Sequence, residues 1–197
     1  MNICKSAALL AAVGAVSMAI ANAASAQSFT SATNTAQALD LDSAAGSFSV
    51  WRATDLTGVN AAHIRFDFPQ MRSDPKWAPG FHYALQSGDE IVQITFVGST
   101  KTGPIMVGTL EHLKGGKTVS SEDFLMPINA SEECGLDIDW SPANEVAFHL
   151  KCPEMVKVSP TGETHKATMS SAPTAFQISG STGELEVKSL QLGHLTP

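Results

Sequence analysis

The stretch Cys134-Gly135-Leu136-Asp137-Ile138-Asp139-Trp140-Ser141-Pro142-Ala143-Asn144-Glu145-Val146-Ala147-Phe148-His149-Leu150-Lys151-Cys152 decides the fold class. Residues 136–140 alternate apolar and polar, and after a turn-forming Ser-Pro-Ala-Asn segment the chain returns as Val146-Ala147-Phe148-His149-Leu150. Folding the chain about Ala143 pairs Trp140 with Val146, Ile138 with Phe148 and Leu136 with Leu150, and sets Cys134 opposite Cys152. Strand side chains alternate with period two, so these eight side chains share one face of a hairpin. Cross-strand Cβ atoms lie roughly 4.5–5.5 Å apart, within reach of a disulfide. A bridge closing this segment adds on the order of 3 kcal/mol in the loop-entropy model. On the opposite face Asp137 meets His149, a carboxylate–imidazole pair that reads first as a solvated cross-strand contact and second as an oriented base. No Ser or Cys nucleophile is placed to complete a triad.

Outward from the hairpin the pattern repeats. Short β-type runs at residues 48–51, 63–68, 81–85, 91–97, 105–110, 175–178 and 184–192 are separated by Gly, Pro, Asn, Asp and Ser clusters. Long helical stripes are absent. This spacing predicts an all-β sandwich or barrel. Residues 27–46 are rich in Ser, Thr and Ala, and read as a flexible N-terminal segment ahead of one sandwich domain over residues 47–197.

The first 26 residues read as a cleavable signal peptide. Lys5 precedes an apolar run over residues 7–20, and Ala24-Ser25-Ala26 fits a peptidase site. The run is shorter than the roughly 20 residues that span a bilayer, so no membrane insertion is expected after processing. Cys4 precedes the run, which does not support lipoprotein anchoring. Export to periplasm or medium follows as an expectation. Of 197 residues, 171 remain, with eleven basic and nineteen acidic side chains and a formal charge of −8. That balance disfavours nucleic acid and anionic membrane surfaces as partners. Cys134 and Cys152 are the cysteines left, and in an oxidising compartment they read as a disulfide. HExxH, CxxC and a glycine-rich phosphate loop are all missing, and the six histidines are scattered. No metal site is expected.

The stretch Trp77-Ala78-Pro79-Gly80-Phe81-His82-Tyr83-Ala84-Leu85, followed by Gly88-Asp89-Glu90-Ile91-Val92-Gln93-Ile94-Thr95-Phe96-Val97-Gly98, resembles glycoside hydrolase family 16. In that family an apolar strand precedes a strand of the form D-E-I-D-x-E-F-x-G. Residues 136–142 and 146–148 resemble its later I-x-W-x-P … I-x-F hairpin, and residues 183–192 resemble its closing strand. The resemblance covers roughly residues 51–192 and implies a concanavalin A-like jelly-roll sandwich of two antiparallel sheets. It also implies a polysaccharide or oligosaccharide partner and no cofactor. Some relatives of this fold carry a structural calcium ion, but no Asp-rich loop here demands one.

The catalytic strand departs from the family pattern. A retaining glycosidase needs two carboxyl groups about 5–5.5 Å apart, which alternate residues on one strand provide. With Val92, Ile94 and Phe96 facing the core, Ile91, Gln93 and Thr95 stand at the family's acid positions, and none is a carboxylate. A bulged register instead matches Glu90 to the nucleophile, Val92 to the middle Asp and Thr95 to the acid/base. The proton donor is missing in both. Loss of general acid help costs about 10²–10⁴-fold. A displaced pair, Glu90 with Asp67 or Glu111, has no spacing argument behind it.

Three readings follow. The first is a non-catalytic glycan binder using Trp77, His82, Tyr83, Gln93 and Thr95, since rings stack on sugars and amides and hydroxyls meet their hydroxyl groups. The ordinary alternative makes Trp77 a cap of the sandwich and Tyr83 a core residue. The second reading is an active polysaccharide hydrolase or lyase with displaced acids, Glu90 among them. The third is an envelope or matrix protein without a ligand.

Overall fold

The computed structural model describes residues 28–31, 37–98, 105–123, 128–141, 143–153 and 162–196. The leader-like segment lies outside the described residues, as do residues 32–36 of the segment read as flexible. Twelve strands run β1(Ser28–Ser31), β2(Gln37–Ala53), β3(Ala61–Met71), β4(Gly80–Ser87), β5(Glu90–Gly98), β6(Ile105–Lys114), β7(Lys117–Asp123), β8(Ile128–Asn129), β9(Cys134–Trp140), β10(Glu145–Lys151), β11(Glu163–Thr168) and β12(Ala175–Thr196).

The 134–152 hairpin forms in the expected register, as β9 and β10. Trp140 faces Val146, Ile138 faces Phe148 and Leu136 faces Leu150. All eight side chains of that face are buried, and the Cys134–Cys152 disulfide closes the open end with Cα atoms 4.4 Å apart. The turn closes through Asn144, which holds φ 63, a region that Asn tolerates better than most residues.

All the ladders are antiparallel, in the order β11-β10-β9-β3-β12-β4-β5-β6-β7, with β1 and β2 also on β12 and β8 on β6. The two halves of β12 serve different sheets: residues 175–181 pair with β4, and residues 183–193 pair with β3. β2 follows the same bend along the other edge of β12. The result is one curled sheet folded into two layers, an all-β jelly-roll sandwich.

The bend has identifiable causes. Thr182 is fully buried at φ 51, and the register slips between Ser181 and Gly183. A Cβ on Gly183 would meet the Gln70 carbonyl oxygen at 2.3 Å and the Phe68 ring at 2.6 Å, so only glycine fits. Opposite it, Gly46 turns at φ 74 and its amide reaches Thr182 Oγ1 at 3.4 Å. Arg72 then ties the corner, donating to Asp42 Oδ1 at 2.5 Å and to the Ser43 carbonyl at 2.6 Å.

Between the layers, Phe66, Phe81, Tyr83 and Phe96 form an aromatic cluster, with Phe81 stacked on Phe96 at 4.7 Å and edge-on to Phe66 at 5.0 Å. Such pairs add roughly 0.5–1.5 kcal/mol each beyond their buried area.

The structure corrects two boundaries. Residues 37–46 are not a loose leader to the domain, because they belong to β2 and pair along β12. The runs at 175–178 and 184–192 are one 22-residue strand, continued through the Thr182 bend. β7 and β11 were not expected. Both are polar edge strands, β7 exposed along its whole length, so neither carries an apolar period.

Candidate functional site

Register lines up three rows of side chains on the outer face of the sheet built on β4, β5 and β6. The first row is Phe48, Ser181, Gly80, Val97 and Val107. The second is Val50, Ser179, His82, Thr95, Thr109 and Asp123, and the third is Arg52, Gln177, Ala84, Gln93, Glu111 and Ser121. β5 keeps an unbroken register with both neighbours, so Val92, Ile94 and Phe96 face the core while Gln93 and Thr95 face out.

The first row produces a groove. Ser181 and Gly80 leave little between Phe48 and Val97, and a Cβ at Gly80 would lie 2.6 Å from the Phe96 carbonyl oxygen. The depression is about 330 Å³, lined by Phe48, Val50, Trp77, His82, Ser179 and Gln177 among others. Trp77 is half exposed and is seated by Asp74, whose Oδ1 accepts the amides of Lys76 at 2.8 Å and Trp77 at 2.9 Å. Phe48 is 62% exposed. A soluble chain does not ordinarily leave two such rings beside one groove without a partner.

The second and third rows form one hydrogen-bond network beside it. Glu111 Oε2 accepts from Gln93 Nε2 at 2.8 Å and from Thr95 Oγ1 at 3.1 Å. Thr95 Oγ1 in turn meets His82 Nδ1 at 3.0 Å. Burial of the His82 ring lowers its pKa below 6.5, with the Glu111 charge opposing. Further along the second row, Thr109 Oγ1 donates to Asp123 Oδ1 at 3.0 Å.

Of the residues singled out from sequence, Trp77, His82, Gln93 and Thr95 therefore share this face. Two others do not reach it. Tyr83 is fully buried in the aromatic cluster, because its parity on β4 is opposite to that of His82. No ligand in the groove can touch it. Burial, with Asp67 adding to it, holds its phenol well above the ordinary range.

Glu90 begins β5 on its core-facing side, 3% exposed, and the bulged register that would have turned it outward is absent. Its Oε1 accepts from His112 Nε2 at 2.7 Å, and its Oε2 accepts the Ser170 amide at 2.9 Å and the Ser170 hydroxyl. The Ser170 hydroxyl leads in lowering its pKa to about 2, against burial and with help from the Ser170 amide, His112 and Lys114. That is an anchor for the segment before β12, buried and held by three donors, and so closed to a sugar.

The outer face of the other sheet is built differently. The row His63, Asp137, His149 and Thr164 crosses β3, β9, β10 and β11. The expected Asp137–His149 pairing is a register contact only. Asp137 Oδ1 accepts from His63 Nδ1 at 2.6 Å, and His149 Nε2 turns to Asp139 Oδ2 at 2.8 Å. Burial raises the pKa of Asp137, but the His63 hydrogen bond and charge, with Lys151 and His149, bring it below the usual value. A larger cavity of about 580 Å³ lies here, bordered by His63, Arg65, Glu133, Asp137 and Lys151. Arg65 is paired with Glu133 and His63 with Asp137, and among the described residues no Trp, Tyr or Phe lines it.

Sequence reasoning named Glu111 only as a partner for Glu90 in a displaced acid pair, not as a neighbour of Gln93 and Thr95, and it missed Phe48, Ser179 and Asp123. The signal for Glu111 was available. Folding the chain about residue 102 sets Gly98 opposite Met106 and carries Gln93 onto Glu111.

No protein-family model matches this sequence. No curated protein matches it either. Solved structures do resemble it. The Crh5 transglycosylase in complex with NAG is 10% identical and covers 86% of this chain and 79% of its own, with a TM-score of 0.54. A prokaryotic β-1,3-1,4-glucanase (lichenase) derived from a mouse hindgut metagenome is 13% identical over 79% of each chain, at 0.50. Xylan β-1,4-xylosidase from Bacillus halodurans is 8% identical over 80% of this chain and 33% of its own, at 0.52. At such identities the likeness defines the fold alone, a concanavalin A-like jelly-roll sandwich.

Proposed function

We propose that this chain is an exported glycan-binding sandwich, related to family 16 glycoside hydrolases in ancestry and without their catalysis. The observation that carries the reading is the groove between Phe48 and Trp77, with the His82–Thr95–Glu111–Gln93 network along its side. Rings flanking hydroxyl and amide groups suit the two kinds of surface on a sugar. On β5, Gln93 and Thr95 occupy the positions where the family motif has acids, and neither can deliver a proton. The disulfide and the leader-like first 26 residues support an oxidising destination, periplasm or medium.

One observation favours the enzymatic alternative. Glu111 and Asp123 lie diagonally on adjacent strands of the same face. Such diagonals span roughly 7–8 Å, inside the roughly 6.5–9.5 Å that inverting glycosidases use.

The test is reducing-end release and affinity-gel retardation by the purified protein on laminarin, mixed-linkage glucan, xyloglucan, agarose and carrageenan. Retardation without release is expected, and Trp77→Ala should weaken it about tenfold. Release that vanishes in Glu111→Gln or Asp123→Asn would replace this reading with the inverting one. No retardation on any gel would end it.

A further inference from the structure

The hydrogen bonds on the outer face have a fixed direction. A carboxylate accepts and does not donate, and a hydroxyl has one proton to give. Thr95 gives that proton to Glu111 Oε2, so toward His82 it offers only a lone pair. His82 Nδ1 must therefore carry the proton of that contact. The buried ring is neutral at neutral pH, which leaves Nε2 as an unprotonated acceptor. Nε2 has no protein partner among the described residues, and the His82 ring lines the groove. Glu111 Oε1 likewise has no protein partner among the described residues.

The face thus presents two open acceptors, and its charges point the same way. Glu111 and Asp123 are its carboxylates, while its cation, Arg52, is engaged by Gln86. An anionic chain laid along the His82 and Glu111 rows meets two carboxylates, while Arg52, the cation among the described residues of these rows, lies at the far β2 end, separated from Glu111 by three strands.

We propose that the groove takes an uncharged, hydroxyl-rich glycan whose hydroxyls donate to His82 Nε2 and Glu111 Oε1, and that it refuses sulfated or carboxylated chains. The inference rests on the glycan reading above and names the ligand class of the same site. Protonating His82 turns Nε2 from acceptor to donor, so binding weakens as pH falls below 6.5. The titratable group facing His82 is Glu111 from β6, with Asp123 further along its row and Arg52 on β2. From β5, β12 and the Trp77 segment the groove receives Val97, Gln177, Ser179, Ser181 and Trp77, none of which titrates there.

The experiment uses the purified protein on affinity gels of laminarin, xyloglucan and agarose beside carrageenan and alginate, at pH 7.5 and pH 5. Nitrogen NMR of the histidines runs in parallel. Retention on a neutral gel is expected at pH 7.5, about tenfold weaker on the anionic gels and weaker again at pH 5. His82 Nε2 should be unprotonated at pH 7.5. Thr95→Val should release that tautomer, and Glu111→Gln should lower neutral-gel affinity about tenfold while relaxing the refusal of carrageenan. Equal or stronger retention on carrageenan or alginate would overturn the ligand class and leave the glycan reading in place. A protonated Nε2 at pH 7.5 would do the same. Retention on none of the gels would remove the glycan reading itself.

Discussion

The two outer faces of this sandwich use the same residue types in opposite ways. On the β3–β9–β10 face His63 and His149 each touch a carboxylate directly, at 2.6 and 2.8 Å, and Arg65 reaches Glu133 at 2.9 Å. Each of those groups has its hydrogen bond answered by a side chain beside it. On the β4–β5–β6 face Thr95 stands between His82 and Glu111, and the histidine is desolvated but not paired with an ion. One intervening hydroxyl separates a direct histidine–carboxylate contact from an open acceptor. The larger cavity lies on the first face and the exposed rings on the second, so cavity size and exposed aromatic surface point to different faces.

That contrast can be broken in measurable ways. The largest effect should come from Cys134→Ser with Cys152→Ser, which should cost about 3 kcal/mol in a urea melt. Glycan retention by the molecules still folded should not change. A loss of retention at full stability would mean that the disulfide-bearing sheet shapes the groove.

Glu90→Gln should cost about 2 kcal/mol, since a buried charge-assisted acceptor is lost. Glu90 has a folded pKa of about 2, depressed from 4.5. Its contribution is complete above pH 4.5 and is lost as pH falls toward 2. The gap in urea midpoint between wild type and Glu90→Gln should therefore narrow over that window. A gap that stays constant down to pH 2 would contradict the assignment.

Trp77→Ala should weaken retention on the preferred glycan about tenfold with an unchanged melt, because the ring is half exposed. A shifted melt would make Trp77 a cap of the sandwich instead. The smallest effect should be Asp137→Asn, below about 1 kcal/mol, with retention untouched. Reduced retention there would move the ligand to the other face.

Legibility in the sequence followed burial. The β9–β10 hairpin could be read in register because one face is wholly apolar, and a slip by one residue would expose all of it. The outward direction of Gln93 and Thr95 followed from Val92, Ile94 and Phe96 by the same alternation. Tyr83 was misplaced because an aromatic ring gives no parity of its own, and the glycan reading drew it outward. Glu90 was misplaced because the partners that keep it at the edge, His112 and Ser170, lie 22 and 80 residues away. β7 and β11 have no apolar side to announce them, and β2 is held by β12 across the whole chain. Glu111 depended on a register set by residues 98 and 106, where the glycine and proline between them mask the symmetry of the fold.

The corner strand β12 also sets a timetable. β1, β2, β3 and β4 all hydrogen-bond to residues 175–196, so neither sheet has its central strand until that stretch has left the ribosome. Pairing over such sequence distances is slow. The architecture that makes the sandwich one continuous curled sheet thus leaves its closure to the last strand in chain order, whichever hairpins have formed before it.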